Sequence, residues 1–207
     1  MKKKKAMGKF FKKREQVKIL DAPDRLVEAF TKIAKTMQTM AQDTADLHSE
    51  IAKVAERFHG KRFKEVLEDI TKFAKLLADR VDFFYGVQRD LAEWIPRVGV
   101  LDNRRPSDVR PRSTPEIRFG VVEPGETVVF NRTRAVDLAK QIDRYCEDIQ
   151  AQMKRFKNDA EALHSFWQDE QYKEYMEHVE DTCRLVEKGR QVMVEFNDGL
   201  KAAIAHF

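Results

Sequence analysis

The chain lacks several things, and each absence narrows what it can be. No stretch approaches the ~20 consecutive apolar residues of a membrane-spanning helix, so none is expected. The basic N-terminus is not followed by an apolar segment, so a secretory signal peptide is not expected either. There are only two cysteines, Cys146 and Cys183, and they form no Cys-x-x-Cys pair. Both fall on apolar helix positions, so buried free thiols in a reducing compartment are expected. Glycine is scarce, and five of the six prolines fall between 96 and 124. With 36% charged and 42% apolar residues, that punctuation suits a helix-rich chain and not a sandwich or a disordered one.

Catalytic signatures are also missing. Neither a glycine-rich phosphate loop nor a Gly-x-Ser-x-Gly elbow occurs. Among the five histidines only His164 stands in a Glu-x-x-His motif, with Glu161. Di-iron bundles use two such motifs and two further glutamates, all pointing inward. One copy predicts an ordinary histidine flanking the core. No cofactor, metal or small-molecule substrate is expected, and the chain does not read as an enzyme.

What is present is a repeating apolar seam. From Ile33 it runs through Met37, Met40, Thr44, Leu47, Ile51 and Val54 to Phe58, in steps of four and three. That is the heptad of packed helices, with Thr44 its one polar member. Gly60 interrupts it, and a second run from Phe63 to Phe84 leads to Trp94, before Pro96 is expected to end the helix. Residues 22–58 and 61–95 therefore predict a helical hairpin. A third run, Ile142, Cys146, Ile149, Met153, Phe156, Ala160, Leu163 and Trp167, repeats the first at an offset of 109 residues. Ser165-x-x-Gln168 predicts a capping box for a fourth helix carrying Tyr172, Tyr175, Met176 and Val179. The architecture expected is all-α. Two long antiparallel helical hairpins, 21–95 and 133–207, would form a four-helix bundle or pack as coiled coils against another subunit. Between them lies a Pro/Arg-rich insert, 96–132, in which 117–122 and 127–130 predict a short β-hairpin.

The two hairpin turns share their punctuation. FHGKRFKEVL begins at Phe58 and WQDEQYKEYM at Trp167. A helix, an aromatic-x-Gly turn and a second helix resemble the WXG100 family of helical hairpins, over 24–95 and again over 134–207. Phe58 and Gly60 stand at its motif positions in the first unit, Trp167 and Asp169 in the second, and each unit departs from the pattern once. The resemblance implies non-catalytic proteins that work as dimers, as substrates or partners of type VII secretion systems. The family's secretion signal, Tyr followed four residues later by an acid, is missing at Tyr85, Tyr145, Tyr172 and Tyr175.

Charge is unevenly spread. Residues 2–18 hold nine Lys/Arg and one Glu, while the whole chain carries only +4. Lys2, Lys3, Lys4, Lys5, Lys9, Lys12, Lys13 and Arg14 surround Met7, Phe10 and Phe11, a short basic amphipath suited to an anionic membrane or to nucleic acid. With long helices behind it, this tail also resembles membrane-shaping dimers of the BAR type. The expectation is an interaction protein that binds a protein partner or itself. Phe58, Gly60, Trp94, Trp167, Asp169 and Tyr172 are its candidate contacts, and the tail (1–20) is an anionic-surface contact. A cytoplasmic location is expected, with peripheral contact to a membrane through the tail as one alternative and secretion, for which no signal is found, as another.

Overall fold

The computed structural model describes residues 23–55, 61–98, 111–120, 132–165, 167–168 and 170–206, and no side chain at 23–24, 55, 61–63 or 94–98. They form four long helices: α1 (Pro23–Ala55), α2 (Lys61–Val98), α3 (Arg132–Ala162) and α4 (Glu170–Ala205). A turn of 3-10 helix, Leu163–Ser165, closes α3. At ~1.5 Å per residue these are rods on the order of 50 Å long. There is no strand among the described residues. Of the predicted β-hairpin, 117–120 is irregular chain, and 121–130 lies outside the described residues. The helix α2 also passes through Pro96, which was expected to stop it. Proline costs one bond, to the Ala92 carbonyl, and only two residues of helix follow it.

The seam folds as its spacing demands. Ile33, Met37, Met40, Thr44 and Ile51 are completely buried, as are Ile142, Phe156, Ala160 and Leu163 one offset later. Each helix buries one stripe and leaves its charges outside, which makes a bundle the stable packing. α1 lies against α2 and α3, and α4 lies against α3 and α2.

Hydrogen bonds fix the directions. Along α1, Gln38 meets Tyr85 and His48 meets Thr71, so α1 and α2 are antiparallel. Lys32 meets Asp159 and Thr44 meets Tyr145, so α1 and α3 are antiparallel as well. Asp143 of α3 reaches Asn197 of α4, and Glu161 reaches Tyr172. It follows that α2 and α3 point the same way. The chain must therefore travel the length of the bundle between them, which is why a long insert separates the hairpins. The turn between α3 and α4 ends up beside the start of α1 and the end of α2.

Close approach explains one glycine. A Cβ on Gly189 of α4 would run into the ring of Phe73 of α2. The helix gives up propensity there, about 1 kcal/mol relative to alanine, to let α2 and α4 come together.

Candidate interaction site

Six aromatic side chains meet at the end where the second turn sits. Phe30 of α1, Phe83 and Phe84 of α2, Phe156 of α3, Tyr175 of α4 and Trp167 of the turn come from every element of the bundle. Trp167 lies 5.7 Å from Phe30 and 5.8 Å from Tyr175, ring centre to ring centre. Phe84 stands edge-on to both Phe156, at 5.0 Å, and Tyr175, at 5.8 Å. Such contacts add about 0.5–1.5 kcal/mol per pair beyond the area they bury.

Trp167, expected as a partner contact, is packed within the chain itself. Only 2% of it is exposed. Its ring closes the open end of the first hairpin, and its backbone N–H donates to the Leu163 carbonyl. Tyr172 is half-buried beside it, edge-on to both Trp167 and His164, so it braces the turn of its own hairpin. Phe58, Gly60, Asp169 and the tail residues Lys2 to Arg14 lie outside the described residues. Trp94 is on α2, and its side chain lies outside them too. The predicted capping box is not formed. Ser165 Oγ donates backwards to the Ala162 carbonyl and Gln168 Nε2 to the His164 carbonyl. Both side chains serve the end of α3 and not the start of α4, because Trp167 pulls the turn back into the core.

Several polar groups inside the bundle hold helices together. Thr44, the one polar seam residue, donates to the Met40 carbonyl at 2.6 Å. Its single proton is thereby used, so Tyr145 must donate to Thr44 Oγ1, also at 2.6 Å. Burial holds the Tyr145 phenol far above its usual range. Asn197 Nδ2 donates to the Ala139 carbonyl and to Asp143, whose carboxylate also pairs with Lys201 at 2.9 Å. The Tyr175 hydroxyl is fully buried and has no partner among the described residues.

Among the described residues no metal-binding group forms. Glu161 and His164 are both exposed, and no group of three His, Cys, Asp or Glu could hold an ion. Cys146 and Cys183 are free, and burial raises both thiols above their ordinary range, away from reactivity. Among the described residues, no helix is long and apolar enough to cross a membrane.

One contact escapes the periodicities altogether. Residues 111–120 lie as a strap along α1 and α2. The Arg112 N–H donates to Gln88 Oε1 at 3.2 Å. The Gln42 side-chain amide takes both backbone groups of Arg118: Oε1 accepts its N–H at 3.2 Å and Nε2 donates to its carbonyl at 3.0 Å. The Gly120 N–H donates to Ser49 Oγ at 2.9 Å. Between these anchors Ile117 and Phe119 turn inward, half-buried, while Arg118 is exposed. Phe119 stands edge-on to His48 at 6.1 Å. Comparison with protein-family models, with curated proteins and with solved structures finds no match to this chain.

Proposed function

We propose that the protein is a non-catalytic helical interaction protein, an adaptor or structural subunit of a larger assembly. The observation that supports this most is how the bundle uses its polar groups. The Thr44–Tyr145, Asp43–Gln152 and Asn197–Asp143 contacts join helices to one another. A rod on the order of 50 Å long then offers its outer faces, and the strap along it, as binding surface. Type VII secretion-like assemblies are the class that the two turn sequences point to, through their resemblance to WXG100 hairpins. With Trp167 inside the bundle, such a contact would use the outer helix faces and not the second turn.

Sedimentation of native extract tests the reading. The protein is expected in particles well above its own 24.2 kDa. Migration as a free monomer at every salt concentration would overturn it.

A second reading rests on the tail alone. Nine Lys/Arg within residues 2–18 suit an anionic membrane surface or a phosphate backbone, with affinity that falls steeply in salt. Deleting residues 2–14 is expected to abolish binding to anionic liposomes or DNA at low salt. Full-length protein indifferent to both would end this reading.

A further inference from the structure

The strap is held in an unusual way for a loop on a helical bundle. Its anchors are side chains of the helices acting on its backbone. Gln42 bonds to both the N–H and the carbonyl of Arg118, as a neighbouring strand would. Asp46 accepts from the same Gln42 amide at 2.8 Å and holds it in that orientation. Ser49 donates to the Ala45 carbonyl, leaving its oxygen lone pairs for the Gly120 N–H. Gln88 is 1% exposed, and its Nε2 donates to Thr31 Oγ1 at 3.4 Å while its Oε1 accepts the Arg112 N–H.

These anchors set a recognition rule. Backbone bonds at 112 and 118 tolerate any residue there except proline, which has no N–H to donate. Position 120 is strict, because a Cβ would come within 2.7 Å of Ser49 Oγ. Positions 117 and 119 ask for apolar side chains that can lie half-buried on the helices. The groove therefore reads an extended peptide with an apolar-x-aromatic-Gly pattern. A second copy of this chain carries that pattern by definition.

The crossover also has slack. Residues 99–131 at ~3.3 Å each could reach on the order of 100 Å, about twice the length of the bundle they must span. A strap can then leave its own groove without unfolding a helix.

We propose that the α1–α2 groove is a docking site for an extended peptide, filled in one molecule by its own residues 111–120 and able to take the same segment from a second copy. Exchange of straps would join two molecules through contacts each already makes within itself. The inference rests on the reading of the protein as an interaction module and names its partner as another copy.

Two complementary full-length variants test it. Gly120→Val spoils the strap and leaves the groove intact. Gln42→Arg spoils the groove and leaves the strap free to be donated. Both positions are at least partly exposed, and circular dichroism checks that each variant stays helical. Light scattering at the highest soluble concentration is expected to show each variant alone as a monomer, and their mixture with added dimer. In parallel, a fluorescein-labelled peptide of residues 111–120 is titrated into each protein. It should bind Gly120→Val at least ~10-fold more tightly than wild type, whose tethered strap competes at millimolar effective concentration. It should not bind the Gly120→Val/Gln42→Arg double variant. Should Gly120→Val lose its helices, Phe119→Ala replaces it as the strap-defective partner. A mixture that scatters as the sum of its parts, or a peptide that binds both backgrounds equally, overturns the proposal. If exchange fails while wild type still sediments in large particles, the interaction role stands and the strap is only a tether.

Discussion

Asp43 and Gln152 touch, Nε2 to Oδ2 at 3.0 Å, and they are 109 residues apart. That separation is the offset at which the two apolar seams repeat. Where two repeats pack as a two-fold pair, only residues on the axis meet their own counterparts. Asp43 and Gln152 are such counterparts on α1 and α3. The pair carries little energy by itself, because it is a single hydrogen bond to a carboxylate near the surface. A double-mutant cycle with Asp43→Ala and Gln152→Ala should give a coupling of about 0.5–1.5 kcal/mol by urea unfolding. A coupling of zero would mean that the contact is incidental to the packing of the two hairpins.

Gly189→Ala should destabilise the protein, although alanine is the better helix former. The added methyl meets Phe73, and relieving it means moving α2 from α4. Overpacking of this kind costs about 1–3 kcal/mol. In a Phe73→Leu background the same substitution should cost less, or become favourable. Equal costs in the two backgrounds would place the strain elsewhere.

Two buried tyrosines should respond in opposite directions to loss of the hydroxyl. Tyr145→Phe removes the donor to Thr44, whose oxygen then sits buried with less company. A loss of about 1 kcal/mol is expected. Tyr175→Phe removes a buried hydroxyl that has no partner among the described residues, and leaves the aromatic cluster intact. It should be neutral or raise the melting temperature. A melting temperature that falls as far as that of Tyr145→Phe would reveal a partner to the hydroxyl.

Stability should fall on mild acidification. His48 donates from Nε2 to Thr71 Oγ1, because the hydroxyl proton is already given to the Leu67 carbonyl. Its Nδ1 is buried without a partner among the described residues. Burial first, and then Lys75 of α2, lower its pKa. His178, packed on Phe83, is lowered by burial and Arg80, against the opposing pull of Glu174, Asp181 and Glu177. A histidine that resists protonation in the folded state contributes fully above its unfolded pKa of about 6.5. Below that value the unfolded chain takes up the proton first, and the contribution is lost as pH falls toward the folded pKa. Urea midpoints from pH 7.5 to 5 should therefore decline, and less steeply in His48→Gln. A decline unchanged by His48→Gln and by His178→Gln would assign it to other groups.

Trp167→Ala should cost about 3–5 kcal/mol, the range for a large side chain removed from a packed core. A surface partner contact would instead leave the midpoint near that of wild type.

The helices and their seams were legible because burial of one stripe per helix writes a period into the chain. Every seam position from Ile33 to Ile51 is buried, and the repeat at 109 reappears as burial at Ile142, Ile149, Phe156 and Ala160. Function-bearing contacts were less legible. Ser165 and Gln168 have the letters of a capping box, but Trp167 between them is drawn into the core and turns both side chains the other way. Ile117 and Phe119 have the alternation of a strand, and they do turn inward together. The backbone groups of Arg118 and Gly120 beside them bond to side chains of α1, however, and not to another strand. Nothing local marks Gln42 as the acceptor for a backbone 76 residues away. Glutamine on a half-exposed helix position has no period, and only the crossover's path gives it that task.

That path also orders events in time. During synthesis α1 and α2 are complete before any residue of the crossover exists, and the crossover is complete before α3 begins. The contacts of the first hairpin close over loops of tens of residues, whereas those between α1 and α3 close over more than a hundred, as in the 101 separating Thr44 from Tyr145. The first hairpin with its wrapping is thus the earliest surface the chain offers, and the second hairpin arrives on a platform already laid. In the interval Phe30, Phe83 and Phe84 lack the cover of Phe156, Trp167 and Tyr175, so a chaperone that grips exposed aromatics meets this protein at one end of one hairpin, and only until Tyr175 is made.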